Sequence, residues 1–138
     1  MIFNATCIGK DGKERNYKFH VMEEQTKIRV NITNFDESPK LGAIDFQFLH
    51  LDDGTLRISD MYIDIEEYRQ KGIPEGIIIN LSRLLQKTIL SSTKFQNNGE
   101  HLHEDAIKVW KRLVSQDLAV FDSSLERYKT LTTDEGLI

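Results

Sequence analysis

The sequence predicts an α+β fold with a mixed sheet, in which an antiparallel β-meander is followed by helix, strand, helix and two strands. Before residue 66, hydrophobic residues alternate with polar ones, which is the period of strands that bury one face. After residue 66, the hydrophobic spacing lengthens to that of amphipathic helices. The 138 residues, 39% of them hydrophobic, suffice for one core. We therefore predict a single domain over 1–138.

The first half, residues 1–65, contains five segments with strand character. Residues 2–8 precede an Asp11-Gly12 turn, and residues 56–65 follow an Asp52-Asp53-Gly54 turn. The three segments between these two alternate apolar and polar side chains; they cover 17–21, 28–32 and 44–48. Turn residues between alternating segments are typical of hairpins, so this half is predicted to be a meander.

The second half, residues 66–131, is predicted to begin with a long helix. Six apolar residues fall on one helical face: Ile73, Ile77, Leu81, Leu84, Leu85 and Ile89. Pro74 suits the first helical position, where its missing N–H removes no helical bond. The remaining elements are a short strand over 89–94, a polar loop over 96–103, a helix over 104–115, and strands over 118–121 and 127–131. The second helix is predicted to pack Ile107, Trp110, Leu113 and Val114, and the tail 132–138 to fray.

Charge and composition exclude several classes of protein. The chain carries 22 acidic and 18 basic residues, a net charge of −4, whereas duplex DNA binding needs a clustered basic face. No apolar run approaches the roughly 20 residues that span a bilayer, and charged residues occupy the place of a secretory apolar region. The single cysteine, Cys7, suits a reducing compartment. We predict a cytoplasmic protein without nucleic-acid or membrane partners.

The most informative stretch is Tyr68-Arg69-Gln70-Lys71-Gly72-Ile73-Pro74-Glu75-Gly76, between the last meander strand and the long helix. A helix N-terminus presents unpaired N–H groups and a dipole that favours an anion, and glycine lets a phosphate approach the backbone. The stretch lacks the Walker and dinucleotide-binding patterns. A phosphate-bearing ligand is therefore one interpretation, and a glycine turn that only starts the helix is the other.

Residues 63–79 resemble the acetyl-CoA-binding segment of the GNAT superfamily of N-acetyltransferases. The core of that family's turn is Arg/Gln-x-x-Gly-x-Gly/Ala, which Arg69 and Gly72 match, flanked by Tyr68, Lys71 and Ile73. The resemblance extends through helix, strand, helix and strand pair, over roughly 54–131. It implies a GNAT-like fold that lacks the family's usual two N-terminal helices, because the meander has hairpins in their place.

The resemblance also implies a ligand and the residues that hold it. Backbone N–H groups of the turn would bind the CoA pyrophosphate, and pantetheine would lie in a gap between the strand before the turn and the strand at 90–94. The implied cofactor-binding residues are Ile63, Ile65, Arg69, Gln70, Lys71, Gly72, Ile73, Gly76, Ser91 and His103. The implied partners are an acyl-CoA, of which acetyl-CoA is the first candidate, and an unidentified amine. Homodimer formation is left open, and no metal is expected.

Catalysis would need a base to deprotonate the acceptor amine and an acid for the CoA thiolate. Asp60, Asp64 and Glu66 lie on or beside the strand that leads into the turn, and Tyr62 or Tyr128 could supply the acid, with Tyr128 taken as the candidate. Asp60 and Asp64 are predicted to share a strand face with Tyr62. The alternative is that the carboxylates are solvated and the tyrosines are half-buried sheet residues.

Three residues depart from the family pattern. Pro74 offers no N–H at the second glycine, Glu75 adds a negative charge, and Trp110 stands where the family often has the acidic tyrosine. Two functions from different classes therefore remain: an N-acyltransferase that acts by direct transfer, and a catalytically silent module with the same fold. An unrelated small α+β binding protein is a third, weaker interpretation.

Overall fold

A computed structural model describes residues 1–34, 44–52, 54–63, 69–93 and 102–131 of the chain. Its elements are β1 (Ile2–Ile8), β2 (Glu14–Glu23), β3 (Lys27–Asn34), β4 (Ile44–Asp52), β5 (Thr55–Ile63), α1 (Ile73–Leu85), β6 (Thr88–Leu90), α2 (Glu104–Ser115), β7 (Ala119–Asp122) and β8 (Arg127–Thr130). The predicted α+β class and the order of elements are confirmed. The predicted tail 132–138, and residues 96–101 of the predicted polar loop, lie outside the described residues.

The eight strands of the described residues form one mixed sheet in the order β1-β2-β3-β4-β5-β6-β8-β7. Neighbouring strands from β1 to β5 pair antiparallel, as expected for a meander joined by hairpins. β5 and β6 are parallel, because α1 carries the chain from one to the other. β8 then pairs antiparallel with both β6 and β7.

The core lies between one face of this sheet and the two helices of the described residues. Alternate residues of the strands are buried, as in β2, where Tyr17, Phe19 and Val21 are buried and their neighbours are not. Trp110 of α2 is fully buried and stacks on Tyr128 of β8, with ring centroids 6.0 Å apart.

α1 begins and ends differently from what its hydrophobic spacing predicts. Gly72 is the N-cap, so Pro74 is the second helical residue rather than the first. Leu84, predicted on the buried face, is 45% exposed. The chain leaves the helix at Gln86, whose φ is +54°, and the Lys87 N–H donates to the Ser82 carbonyl. Ile89 lies in a strand, β6, as predicted, but that strand ends at Leu90 rather than at residue 94.

α2 has the predicted bounds, but its buried face is shifted. Val109, Trp110 and Leu113 are buried, whereas Val114 is 36% exposed and Ile107 is half-buried. No helix in the described parts of the chain has the length and apolar character needed to cross a membrane.

Candidate functional site

The sheet divides where β5 and β6 separate. Their register comprises Thr55↔Thr88, Leu56↔Ile89 and Arg57↔Leu90, and it ends there although β5 continues to Ile63. Beyond Leu90 the chain turns to β8: the Ser91 N–H donates to the Tyr128 carbonyl at 2.9 Å, and the Ser91 hydroxyl accepts the Tyr128 N–H at 3.0 Å. The second half of β5 therefore has no strand partner on its β6 side within the described residues.

A β-bulge at Ser59 coincides with this separation. Gln47 of β4 pairs with Asp60, but the next residue, Phe48, pairs with Ile58, so Ser59 is the extra residue. The Ser59 hydroxyl donates to the Gln47 carbonyl at 3.3 Å and to an Asp60 carboxylate oxygen at 3.1 Å. After the bulge, Met61 and Ile63 pack against the core, and Asp60 and Tyr62 are exposed on the other face.

A cleft of about 1130 Å³ opens beside the separated strands. Its walls are the end of β1, the bulged half of β5, the loop before α1, one side of α1 and most of α2. Pockets that hold small molecules and cofactors usually measure about 300–1,000 Å³, so this cleft is large enough for a sizeable ligand. More basic than acidic side chains line it: Lys10, Arg69, Arg83, Lys108 and Arg112 against Asp60, Glu75 and Asp105. This balance favours an anionic ligand.

The two glycines of the predicted turn face β1. A Cβ on Gly72, whose φ is +77°, would lie 2.1 Å from the Ile8 carbonyl oxygen. A Cβ on Gly76 would lie 2.5 Å from the Cys7 sulfur. Both glycines therefore let the first turn of α1 approach β1 closely. This packing explains the two glycines without a ligand.

The loop before α1 is also tied to the turn between β1 and β2. The Gln70 carbonyl accepts the Lys10 N–H at 3.0 Å, and Gln70 itself has a φ of +58°. Asp11 in that turn pairs with Arg15 at 2.7 Å. The hydrogen bond from Arg15 holds the pKa of Asp11 well below its usual range, with a smaller contribution from the Lys71 ammonium. Lys71 thus lies near a carboxylate, and it does not line the cleft.

Glu75 is paired with Arg112, and this ion pair joins α1 to α2. One carboxylate oxygen, Oε1, accepts from Arg112 Nε at 2.5 Å and also from Arg112 Nη2. The Glu75 side chain is only 12% exposed, and its second oxygen, Oε2, is buried and has no hydrogen-bond partner. The positive charge of Arg112 therefore compensates the acid that the sequence places in the turn.

Two further polar groups of the cleft walls are buried. The Trp110 indole nitrogen Nε1 has no hydrogen-bond partner. The Cys7 thiol is 2% exposed; burial, together with the nearby Glu75 carboxylate, raises its pKa to about 12. A thiol with so high a pKa is protonated at neutral pH and is a poor nucleophile.

Several of the predicted site residues line this cleft: Ile63, Arg69, Gln70, Gly72, Gly76 and His103 of the cofactor-binding set, and Asp60 of the catalytic set. Three others do not line it. Ile73 is buried in the core, Ser91 is hydrogen bonded to Tyr128 within the sheet, and Lys71 contributes to lowering the pKa of Asp11. Asp64, Ile65, Glu66 and Tyr68 lie outside the described residues.

Tyr128, the predicted acid, does not line the cleft either. Its side chain is 4% exposed and lies between Trp110 and Phe121, with the Phe121 ring 5.0 Å away. Trp110, in contrast, lines the cleft.

Sequence reasoning missed the pairing of Glu75 with Arg112 and the shared cleft position of Glu75 and Trp110. The available signal was the acid in the first helical turn together with the Lys108, Lys111 and Arg112 cluster on the second helix. Nothing in the spacing, however, shows which base faces that acid. In the described parts of the chain, no group of three or more metal-ligating side chains converges.

Comparisons with protein families, with curated proteins and with solved structures find no match to this chain.

Proposed function

We propose that this protein binds an acyl-CoA in the cleft and transfers its acyl group to an amine. The observation that carries the proposal is the separation of β5 from β6 beside a large cleft. Pantetheine is a narrow chain with two amides, so it can lie along the open side of β5 and pair with its backbone as a strand would. The proposal includes the finer, GNAT-like interpretation of the fold.

The charge of the cleft supports a ligand with phosphates. Arg69 and Lys10 line it beside the N-terminus of α1, and Lys108 and Arg83 line it on the two helices. The α1 N-terminus adds a partial positive charge. Pro74 has no N–H, so the Arg69 side chain has a larger share in binding the pyrophosphate than the backbone of that turn.

Asp60 is the candidate base for the transfer. It lies next to the bulge, where β5 leaves β6, and its side chain is on the exposed face of the strand. Its carboxylate would take a proton from the substrate ammonium. The amine nitrogen then attacks the thioester carbon, the C–N bond forms, the C–S bond breaks, and the remaining proton passes to the CoA thiolate or to solvent.

A second candidate function is acyl-CoA binding without transfer. The positions of Tyr62 and Tyr128 favour it, because neither phenol lines the cleft and an indole N–H cannot serve as the acid in their place. The protein would then be a ligand-responsive interaction module. The two functions differ in catalysis and agree in binding.

Calorimetric titration with CoA, acetyl-CoA and ADP tests the binding. In a separate unfolding experiment, CoA at 100-fold above its dissociation constant should raise the free energy of unfolding by about 2.7 kcal/mol. Arg69→Gln should weaken CoA about tenfold, the effect of one charge-assisted hydrogen bond, and most strongly at low salt. Arg29→Gln is the matched control: Arg29 of β3 pairs with Glu24 in the turn before that strand and does not line the cleft. Both candidate functions are excluded if CoA binds to neither parent nor control.

Release of free CoA thiol from acetyl-CoA in the presence of a panel of amines tests the transfer. Asp60→Asn keeps the size of the side chain and removes the base, so we expect a rate loss of roughly 10²-fold or more with CoA affinity unchanged. Binding without release for every amine would favour the second candidate. Full activity in Asp60→Asn would remove Asp60 from the mechanism.

A further inference from the structure

The first strand has an open edge in the sheet that the described residues form. β1 stands first in the strand order, and its single strand partner there is β2. The backbones of Met1 and Val21 exchange both of their hydrogen bonds, and at the other end the Gly9 N–H donates to β2's side of the turn. The register between the two strands has no shift, so the odd-numbered residues of β1 bond towards β2 throughout. The outward N–H and C=O groups belong to the even-numbered residues: Ile2, Asn4, Thr6 and Ile8.

The loop before α1 covers one end of this edge. A Cβ on Gly72 would lie 2.1 Å from the Ile8 carbonyl oxygen, so the loop backbone occupies the space beside Ile8. Among the residues that the structure describes, no backbone hydrogen bond reaches the outward groups of Ile2, Asn4 or Thr6. All three residues are exposed. The open part of the edge therefore runs from Ile2 to Thr6.

The sequence of β1 contains none of the features that keep an open edge from pairing with another strand. Natural proteins protect such edges with charged side chains, proline or a bulge. Residues 1–9 contain no charge and no proline, and they are the longest run without a charged side chain in a chain that is 29% charged. The other edge strand, β7, has only four residues and ends with Asp122. The open edge of β1 is therefore suited to pairing with a strand of another chain.

The residues of this edge are complementary to a second copy of themselves. The middle of the open part is Asn4, and antiparallel pairing about a twofold axis at Asn4 places Ile2 opposite Thr6 of the second copy. Outward groups then meet outward groups in every pair. On the core side, the half-buried ring of Phe3 lies opposite the small, half-buried Ala5 of the second copy. At the axis two Asn4 side chains face each other, and an amide can pair with its own copy because it both donates and accepts.

We propose that this protein forms a homodimer in which the β1 strands of two copies pair antiparallel about Asn4. The two sheets then join into one, and the second copy lies beside the cleft, which Thr6 lines. The paired strands carry no charge, whereas each chain has a net charge of −4, so added salt should not weaken the dimer. A pairing of five residues is small for an interface, and we expect a dissociation constant of about 10–100 µM. The dimer is independent of the proposed function, since it requires no ligand.

Sedimentation equilibrium of the free protein tests the dimer. The mass should rise from 16.0 kDa towards twice that value as the protein concentration passes the dissociation constant. Asn4→Lys places two like charges opposite each other at the axis and should raise the dissociation constant about fivefold or more. Val120→Lys is the matched control, because it adds the same charge to an exposed residue of the other edge strand, and it should leave the dissociation constant unchanged.

A second variant removes a hydrogen bond donor without adding charge. Asn4→Pro deletes the outward N–H in each copy, so it should raise the dissociation constant about tenfold or more. Proline is tolerated on an edge strand where its N–H would face solvent, and the Asn4 side chain is exposed. The far-ultraviolet circular dichroism of both Asn4 variants should therefore match that of the parent.

Hydrogen exchange of the backbone amides locates the interface. Phe3 and Ala5 bond to β2, so their amides should be protected at every protein concentration. The amides of Asn4 and Thr6 should be unprotected in dilute protein. At a protein concentration ten times the dissociation constant they should exchange about fivefold more slowly, because about a fifth of the chains are then monomeric.

Each of four results would overturn the proposal. A mass of 16.0 kDa at a protein concentration of about 1 mM would mean that no dimer forms and that the edge is open to a strand of a different protein. A mass that continues to rise beyond the dimer would mean head-to-tail pairing. Dissociation by Val120→Lys and not by Asn4→Lys would place the interface at β7. A dimer in which the amides of Asn4 and Thr6 stay unprotected would use another surface.

Discussion

Gly72 has two separate reasons to be glycine. Its φ is +77°, and a Cβ there would meet the Ile8 carbonyl oxygen at 2.1 Å. Gly12 has the same type of backbone, with a φ of +79°, but a Cβ on it would meet nothing within 4 Å. These two glycines therefore separate the cost of the left-handed conformation from the cost of close packing.

We expect Gly12→Ala to lower the free energy of unfolding by about 1 kcal/mol, the cost of a left-handed alanine. Gly72→Ala should lower it by at least about 1 kcal/mol more, because β1 and α1 must move apart. Urea unfolding of both variants measures the difference. Equal losses would mean that the approach of Gly72 to Ile8 is not tight in solution.

Because of Cys7, the free energy of unfolding of the protein should fall as the pH becomes alkaline. The thiol pKa is raised from 9.0 in the unfolded chain to about 12 in the folded protein. Above pH 9.0 the unfolded chain loses this proton first, so the folded state is destabilised as the pH rises towards 12. The loss approaches about 1.4 kcal/mol per pH unit.

The measurement is urea unfolding at several pH values under reducing conditions. Cys7→Ala is the control, since it lacks the titrating group and carries every other alkaline titration of the chain. The free energy of unfolding of the parent should fall relative to this variant only above pH 9.0. Parallel curves would show that the thiol is as well solvated in the folded protein as in the unfolded one.

At the scale of the element, α1 and α2 are joined by one largely buried acid and one partly exposed base. Arg112 is 42% exposed, so water screens much of its charge, whereas Glu75 is 12% exposed. Removing the base therefore leaves a poorly solvated carboxylate. Removing the acid leaves an arginine that can turn to solvent.

We expect Arg112→Met to lower the free energy of unfolding by roughly 1–3 kcal/mol, the cost of an unpaired buried acceptor. Glu75→Gln should cost less, and Arg112→Met combined with Glu75→Gln should be more stable than Arg112→Met alone. Urea unfolding of the three variants gives this order. A larger loss for Glu75→Gln than for Arg112→Met would contradict it.

The elements differ in how far the sequence predicts them. The bounds of β1 and α2 follow from alternation and from acidic residues at a helix start, both of which are local. The helical spacing of α1 was traced as far as Ile89, where the strand over 89–94 was predicted to begin, because the residue that ends the helix, Gln86, adopts a positive φ without being glycine. The bulge at Ser59 has no sequence signal either. One hydrogen bond that stabilises it goes to Gln47 on the neighbouring strand, and the local sequence does not show which residue lies there.

The site was less predictable than the fold, and for a related reason. A glycine at position 72 gives the same sequence pattern whether it makes room for a phosphate or for the backbone of a distant strand. In the structure it makes room for β1, more than 60 residues earlier in the chain. The cleft depends on the separation of β5 from β6, which no residue type marks. Arg69 and Asp60 were nevertheless predicted as site residues, and both line the cleft.

At the scale of the molecule, the first strand of the sheet packs against the start of the helix that follows the fifth strand. Lys10 bonds to Gln70, Ile8 lies against Gly72, and Cys7 lies against Gly76. These contacts link residues about 60 positions apart, so they form only when the whole meander is in place. β1 is therefore an edge strand in the sheet and at the same time part of the core.

The reactivity of Cys7 towards iodoacetamide tests whether the packing of β1 against α1 opens locally. Cys7 is the only cysteine, it is 2% exposed, and alkylation needs its thiolate. If β1 leaves α1 only on global unfolding, alkylation at neutral pH should be at least about a thousandfold slower than in the urea-unfolded chain. Its rate should also rise with urea as steeply as global unfolding does. Ser124→Cys in a Cys7→Ala background, which places a thiol in the exposed turn between β7 and β8, should react at the unfolded rate. Slow alkylation whose rate does not change with low concentrations of urea would instead indicate that β1 detaches while the rest of the sheet stays folded.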